Sequence, residues 1–361
     1  MPELKPSLIF IPDISGFSDF VNATELTHSR HIISELLGLI IDANRLDMDV
    51  SEVEGDAVLF YKFHDVPTPE QLLEQAEHMF VEFHSHLRQY ATQRICQCGA
   101  CSSAPGLTLK MVAHVGELDK ISIKGHEKLH GSDLILAHRL LKNDVPIHEY
   151  LLITEAVNHG HGQARNGLEG NAWELGKTSY ADFGEVSYRY LSLSELHKKV
   201  SDPPKPTSGT RTENPVIQEV LIDSPLQDVF EVVTNFDYRL HWNKGVKTVD
   251  YEKYKVNRVG TKHVCVFDNR TIEFETVTSQ FGPNKIAYGE KLNDVPPFLK
   301  EMTLYYIMEE KDKKTLLSAE WHYVLRGLLL KPMTPLLKRK FAATGKLALN
   351  QIKTYAESKQ D

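Results

Sequence analysis

Two aspartates sit where strands would begin and end. Asp13 closes the apolar run Phe10-Ile11-Pro12, and Ile14-Ser15-Gly16-Phe17 then leads through a turn toward a helix. Asp56 follows Glu54-Gly55 and opens a second apolar run, 43 residues further on. If the two strands lie side by side, their carboxylates repel unless they share a cation or a proton. A hard divalent ion such as Mg2+ suits oxygen ligands of this kind. The N–H groups of Ile14, Ser15, Gly16 and Phe17 are then placed to cradle phosphates. The plainer reading makes Asp13 a turn or cap residue and Asp56 a hairpin residue.

A second cluster is Cys96-Gln97-Cys98-Gly99-Ala100-Cys101, just after a long helical stretch. Three thiolates in one loop can hold Zn2+ if a histidine completes the tetrahedron, and His84 and His86 precede them. No second CxxC pair follows, so a loop of reduced thiols is the alternative. The remaining histidines are scattered, with His159/His161 and His28/His31 as close pairs.

The elements around these residues can be read from pattern. Residues 7–12 are a short apolar run bounded by a turn, expected to be a buried strand. Residues 29–43 read as helix and 56–63 as strand. Thr68-Pro69-Glu70-Gln71 is a helix start, with a Thr cap, Pro in the first turn and Gln three residues after the cap. Leu72, Leu73, Ala76, Phe80, Phe83 and Leu87 then give that helix an apolar face. Residues 107–115 alternate like a strand, 133–141 read as helix and 183–193 as a last strand. The order β-α-β, α-β-β-α predicts a ferredoxin-like α+β core.

Residues 198–215 are rich in Pro, Ser, Thr and Gly, and predict an exposed linker. The chain therefore divides into 1–197, a linker at 198–213, and 214–361. The second part starts with a strand at 216–222 and a helix at 225–233. Strands follow through Tyr323, and a long amphipathic helix spans 335–358.

Composition limits the function. With 41% hydrophobic and 25% charged residues the chain is globular, and net charge is −8. Residues 1–212 carry 19 basic and 29 acidic groups, the rest 22 and 20, which argues against a nucleic-acid partner. The start lacks a leader pattern and no apolar run is long enough to span a bilayer, so a cytoplasmic location is expected.

The motifs FIPDISGF at 10–17, VEGDAVLF at 53–60 and GSDLILAHRL at 131–140 stand in order. Together they resemble class III adenylyl and guanylyl cyclases over roughly residues 5–193. That resemblance implies metal ligation by Asp13, the Ile14 carbonyl and Asp56, with Mg2+ or Mn2+. It also implies a transition-state role for Arg139 across a head-to-tail dimer, and base reading by Glu52, where a carboxylate suits guanine. Three positions depart from the family pattern. Ile135 stands where the family has a ribose-binding Asn, Lys128 fills the second base-reading position, and the phosphate-contacting lysine near the last strand has no counterpart around Ala181 and Phe183. The expectation is a degenerate domain that binds a nucleoside triphosphate, against an active cyclase or a non-catalytic scaffold.

The second part opens PVIQEVLIDSPLQDVFEVV and continues NFDYRLHW. It resembles START/polyketide-cyclase-like domains of the helix-grip type, an antiparallel sheet wrapped on a C-terminal helix. That implies a hydrophobic small-molecule ligand, with Trp242, Phe274, Trp321, Tyr323 and Phe341 as cavity candidates. The plainer reading makes each of them core.

Overall fold

A computed structural model describes residues 6–22, 26–96, 98–158, 167–168, 171–203, 205, 207–253 and 255–359. His159 and His161 lie outside the described residues. The fold is α+β, in two compact units: 1–92 with 99–203, and 93–98 with 204–361.

In the first unit the elements run β1 (Pro6–Ser15), α1 (Phe17–Asn22), α2 (Leu26–Asp42), β2 (Asp49–Glu54), β3 (Ala57–Phe63), α3 (Pro69–Gln93), α4 (Gly99–Ser103) and β4 (Thr108–Glu117). Then come β5 (Asp119–Ile123), β6 (His126–His130), α5 (Ser132–Leu140), β7 (Tyr150–Thr154), α6 (Glu155–Asn158), β8 (Glu174–Tyr180) and β9 (Gly184–Ser192). Seven strands form one sheet in the order β2-β3-β1-β4-β7-β9-β8, and β5-β6 is a separate ribbon. β4 and β7 are parallel, while β1 is antiparallel to both β3 and β4. Leu8, Ile9, Phe10 and Ile11 are all buried, because β1 is covered on both faces and each alternate side chain finds an apolar layer. One layer joins Ile9, Ile11, Leu59 and Tyr61 to Leu134 and Ala137 of α5. Leu136 and Leu140 of the same helix pack with Val112, Tyr150 and Leu152. Burying such side chains stabilises by roughly 1.5–3 kcal/mol each, and fixes α5 over the strands that carry the aspartates.

α3 begins as its sequence predicts. The Thr68 N–H donates to Gln71 Oε1 at 2.9 Å, and the Gln71 N–H donates back to Thr68 Oγ1 at 3.2 Å. This reciprocal pair satisfies N–H groups that have no partner within the helix.

In the second unit, β10 (Val216–Ile222), α7 (Leu226–Thr234), α8 (Arg239–Trp242), β11 (Thr248–Asp250), β12 (Lys262–Phe267) and β13 (Arg270–Val277) precede β14 (Lys285–Leu292), β15 (Leu299–Lys311), β16 (Lys314–Leu325) and α9 (Thr334–Ser358). The sheet is β10-β16-β15-β14-β13-β12-β11, antiparallel throughout. α9 packs on β10 and β16, burying Leu337, Leu349, Ile352 and Ala356. It comes so close that a Cβ at Gly345 would stand 3.1 Å from Trp321 Nε1.

The segment expected to be an exposed linker is partly bound. The Thr210 N–H donates to Thr303 Oγ1 at 3.0 Å, Thr210 Oγ1 donates to Glu301 at 2.8 Å, and the Thr212 N–H donates to His322 Nδ1 at 2.9 Å. Thr210 and Thr212 are thus tied to β15 and β16, while residues 201, 202, 205, 207, 208, 211 and 213 are exposed. At Gly209 a Cβ would fall 2.0 Å from the Tyr305 hydroxyl oxygen.

Candidate functional site

β1 and the β2–β3 turn bring the two aspartates together. Asp13 pairs with Ala57 across β3, and the Ile14 N–H donates to the Asp56 carbonyl at 2.9 Å. Gly55 turns the chain at φ +62° and Gly16 does so after β1 at φ +86°, a backbone region that side chains disfavour. The Gly16 carbonyl accepts the Phe20 N–H at 3.0 Å and so starts α1. Burial pushes the Asp13 carboxyl above its usual range, Lys110 partly offsets this, and the Asp56 charge adds to the rise. Burial also pushes Asp56 up, opposed by its backbone hydrogen bond and by Lys110. Two carboxylates that both resist ionisation are suited to sharing a cation.

Lys110 already supplies one. It lies opposite Asp13 in the β1–β4 register, and its Nζ stands 3.3 Å from Asp13 Oδ2. The same Nζ donates to the Leu141 carbonyl at 3.2 Å, just past α5. In this structure Asp13 Oδ2 is therefore occupied by an ammonium rather than left open. Lys110 was not legible from sequence as part of this site. Its only signal was a charge among the buried Leu109 and Met111, and its partner is remote in the chain.

The helix carrying Arg139 is held from below. His114 Nε2 stands 3.1 Å from Asp133 Oδ1, and the Glu117 N–H donates to Asp133 Oδ2 at 2.9 Å. The His114 hydrogen bond holds the Asp133 carboxyl below its usual range. Arg139 itself is exposed, 3.7 Å from Asp182. Ile135 is 53% exposed and offers no hydrogen bond. Glu52 gathers with Glu54 and His138, their ligand atoms within 4.8 Å of one another. Lys128 is exposed on the β5–β6 ribbon, opposite Ile121. Phe17 lines an open, mainly apolar groove of about 860 Å3 with Val21, Ile33, Leu37, Ile41 and Val53. Asp13, Ile14, Ser15, Gly16, Phe17 and Asp56 thus share one end of the sheet, while Lys128 lies on the separate ribbon.

Cys96, Cys98 and Cys101 are each buried. The Cys98 N–H donates to Cys96 Sγ at 3.3 Å. His84 and His86, the candidates for a fourth ligand, are engaged elsewhere: His84 beside Glu149, and His86 with its Nε2 3.1 Å from Glu35 Oε1.

In the second unit, Trp321 stacks on Phe341 at 5.1 Å between ring centroids, and Tyr323 meets Phe341 at 5.2 Å. Tyr323 also lines an open cavity of about 750 Å3 with Thr212, Leu325, Thr334 and Lys338. Phe274 stacks instead on His263 at 5.2 Å. Trp242 donates to the Val232 carbonyl at 2.9 Å and lies under the Arg239 guanidinium. Arg239 and Glu290 form a fully buried ion pair, which Tyr288 joins by donating to Glu290 Oε1 at 2.9 Å. No local pattern marks this pair, since its members are 51 residues apart.

Over about half of the chain, similar solved structures are class III adenylyl and guanylyl cyclase domains. The guanylyl cyclase Cya2 is 15% identical with a TM-score of 0.38, covering 52% of this chain and 91% of that one. Norcoclaurine synthase from Thalictrum flavum is 9% identical with a TM-score of 0.33, covering 41% of this chain and 96% of that one. Residues 33–150 match a family model described as Protein of unknown function (DUF2652). The chain belongs to the family of the uncharacterized protein Rv2561/Rv2562 of Mycobacterium tuberculosis (strain ATCC 25618 / H37Rv): the two are 32% identical over 165 residues, 45% of this chain and 74% of that protein. Among the described residues, no helix is long and apolar enough to cross a membrane.

Proposed function

We propose a cytoplasmic sensory or regulatory protein built from a degenerate nucleotidyl-cyclase-like domain, a linker at 198–213 and a START-like helix-grip domain. The first domain binds a nucleoside triphosphate at the Asp13–Asp56 end of its sheet and does not turn it over. Mg2+ or Mn2+, held by Asp13, the Ile14 carbonyl and Asp56, would neutralise the nucleotide phosphates. The N–H groups of residues 14–17 receive phosphate oxygens, and Glu52 favours guanine. The second domain takes a hydrophobic small molecule near Trp321, Tyr323 and Phe341.

The observation that carries the reading is Lys110. Its ammonium holds the Asp13 carboxylate that the metal needs, so metal and nucleotide bind weakly. Ile135 removes a hydrogen bond to the ribose, and losing one aligned polar contact costs about 10²–10³ in rate. The groove beside Phe17, with Val53 exposed at its edge, suits a second copy of the chain in a homodimer.

Thermal unfolding with GTP or ATP and Mn2+ tests the site. The nucleotide should raise Tm by a few degrees over Mn2+ alone, and Asp13→Ala should abolish the rise. An equal rise in Asp13→Ala, or none in the wild type, would remove the nucleotide from this site.

A further inference from the structure

We propose that His84, Glu149 and His197 form a second, separate metal site in the first unit, which takes a borderline divalent ion of the Zn2+ class. Nothing in it depends on nucleotide binding.

The three residues come from distant parts of the chain: α3, the residue before β7, and the turn at Ser194–Lys199. Yet both imidazoles converge on one carboxylate. His84 Nε2 stands 3.1 Å from Glu149 Oε1, and His197 Nε2 stands 3.2 and 2.9 Å from Oε1 and Oε2. A tetrahedral ion with bonds of about 2.0–2.1 Å places adjacent ligand atoms roughly 3.3 Å apart. The His84–Glu149 and His197–Glu149 separations lie within about 0.4 Å of that spacing, and all three ligand atoms lie within 4.8 Å of one another.

The histidine on α3 is the informative one. Its Nε2 is buried and, at 3.1 Å from the carboxylate, makes no hydrogen bond of acceptable geometry. Buried polar nitrogens nearly always have a partner. A neutral imidazole with a free lone pair is the form that binds metal. Phe80 packs on both rings, at 4.2 and 5.1 Å, and fixes their planes. His197 is 44% exposed, so the cluster opens to solvent on that side. Two imidazoles and one carboxylate select Zn2+, Co2+ or Ni2+ over Mg2+. Bound metal would staple the 194–199 turn to α3 and to the start of β7.

Metal-stripped protein titrated with Co2+ and Zn2+ tests this. The expected result is a tetrahedral Co2+ absorption spectrum free of thiolate charge-transfer bands, and a Zn2+-dependent rise in Tm of several degrees. Both should be lost in Glu149→Gln and in the surface variant His197→Ala, which should fold like the wild type without metal. A thiolate charge-transfer band would report the cysteines instead. If both variants keep the wild-type Co2+ spectrum and Zn2+ response, or if the wild type shows neither, the three residues are a hydrogen-bonded cluster only and the proposal fails.

Discussion

Replacing Lys110 with methionine removes a cation 3.3 Å from Asp13 Oδ2 and keeps most of the stem that fills the space beside it. At that separation the bare attraction is roughly 5 kcal/mol with an effective dielectric near 20. Both side chains are largely buried, at 20% and 12% exposure, so screening is modest. Exchange with water still reduces the net value of a charge-assisted hydrogen bond to about 1.5–3 kcal/mol. A divalent ion binding at Asp13 must give up that much in the wild type and nothing in the variant. Each ~1.4 kcal/mol is tenfold, so Lys110→Met should bind Mn2+ about 10–100-fold more tightly. Without Lys110 the Asp13 carboxyl rises further, so the titration belongs near neutral pH or above, where a proton competes least. Free Mn2+ counted by electron paramagnetic resonance reads the affinity directly, and Asp13→Asn provides the baseline. Unchanged or weaker Mn2+ binding in a folded Lys110→Met protein would refute the idea that Lys110 competes for the metal position.

The second unit offers a further test. Glu290→Gln leaves Arg239 charged and fully buried, which should destabilise that unit by about 3–5 kcal/mol, read as a fall in its chemical-denaturation midpoint. The pH dependence follows from the same pair. Burial opposes ionisation of Glu290, but the Arg239 guanidinium more than offsets it and holds the carboxyl well below 4.5. The stabilisation is therefore complete above pH 4.5 and is lost as pH falls below it, a loss that Glu290→Gln should not show.

Much of the scaffold was legible because it follows local rules. The apolar run of β1, the reciprocal Thr68–Gln71 cap and the stripe along α3 each depend on neighbours within a few residues. Edge strands were harder. β2 (DVSEVE) and β8 (ELGKTSY) are polar and largely exposed, so neither carries a strong period-2 signal. β7 (YLLIT) is buried throughout, and a five-residue apolar run does not distinguish strand from buried helix. The aspartates were legible as residues that close or open strands, but the company they keep was not. Lys110 meets Asp13 through strand register, and His84 meets Glu149 and His197 through packing of three remote segments. No spacing in the chain encodes either contact.

Nucleotide is proposed to bind at Asp13 and Asp56 without being converted. Mass spectrometry of purified, folded protein incubated with GTP or ATP and Mn2+ tests it most directly, with Asp56→Ala alongside. The expected result is recovery of intact triphosphate with no cyclic GMP or cyclic AMP, in a sample whose Tm rises with that nucleotide. Cyclic nucleotide formed by the wild type and absent from Asp56→Ala would contradict the claim and make the chain a working cyclase.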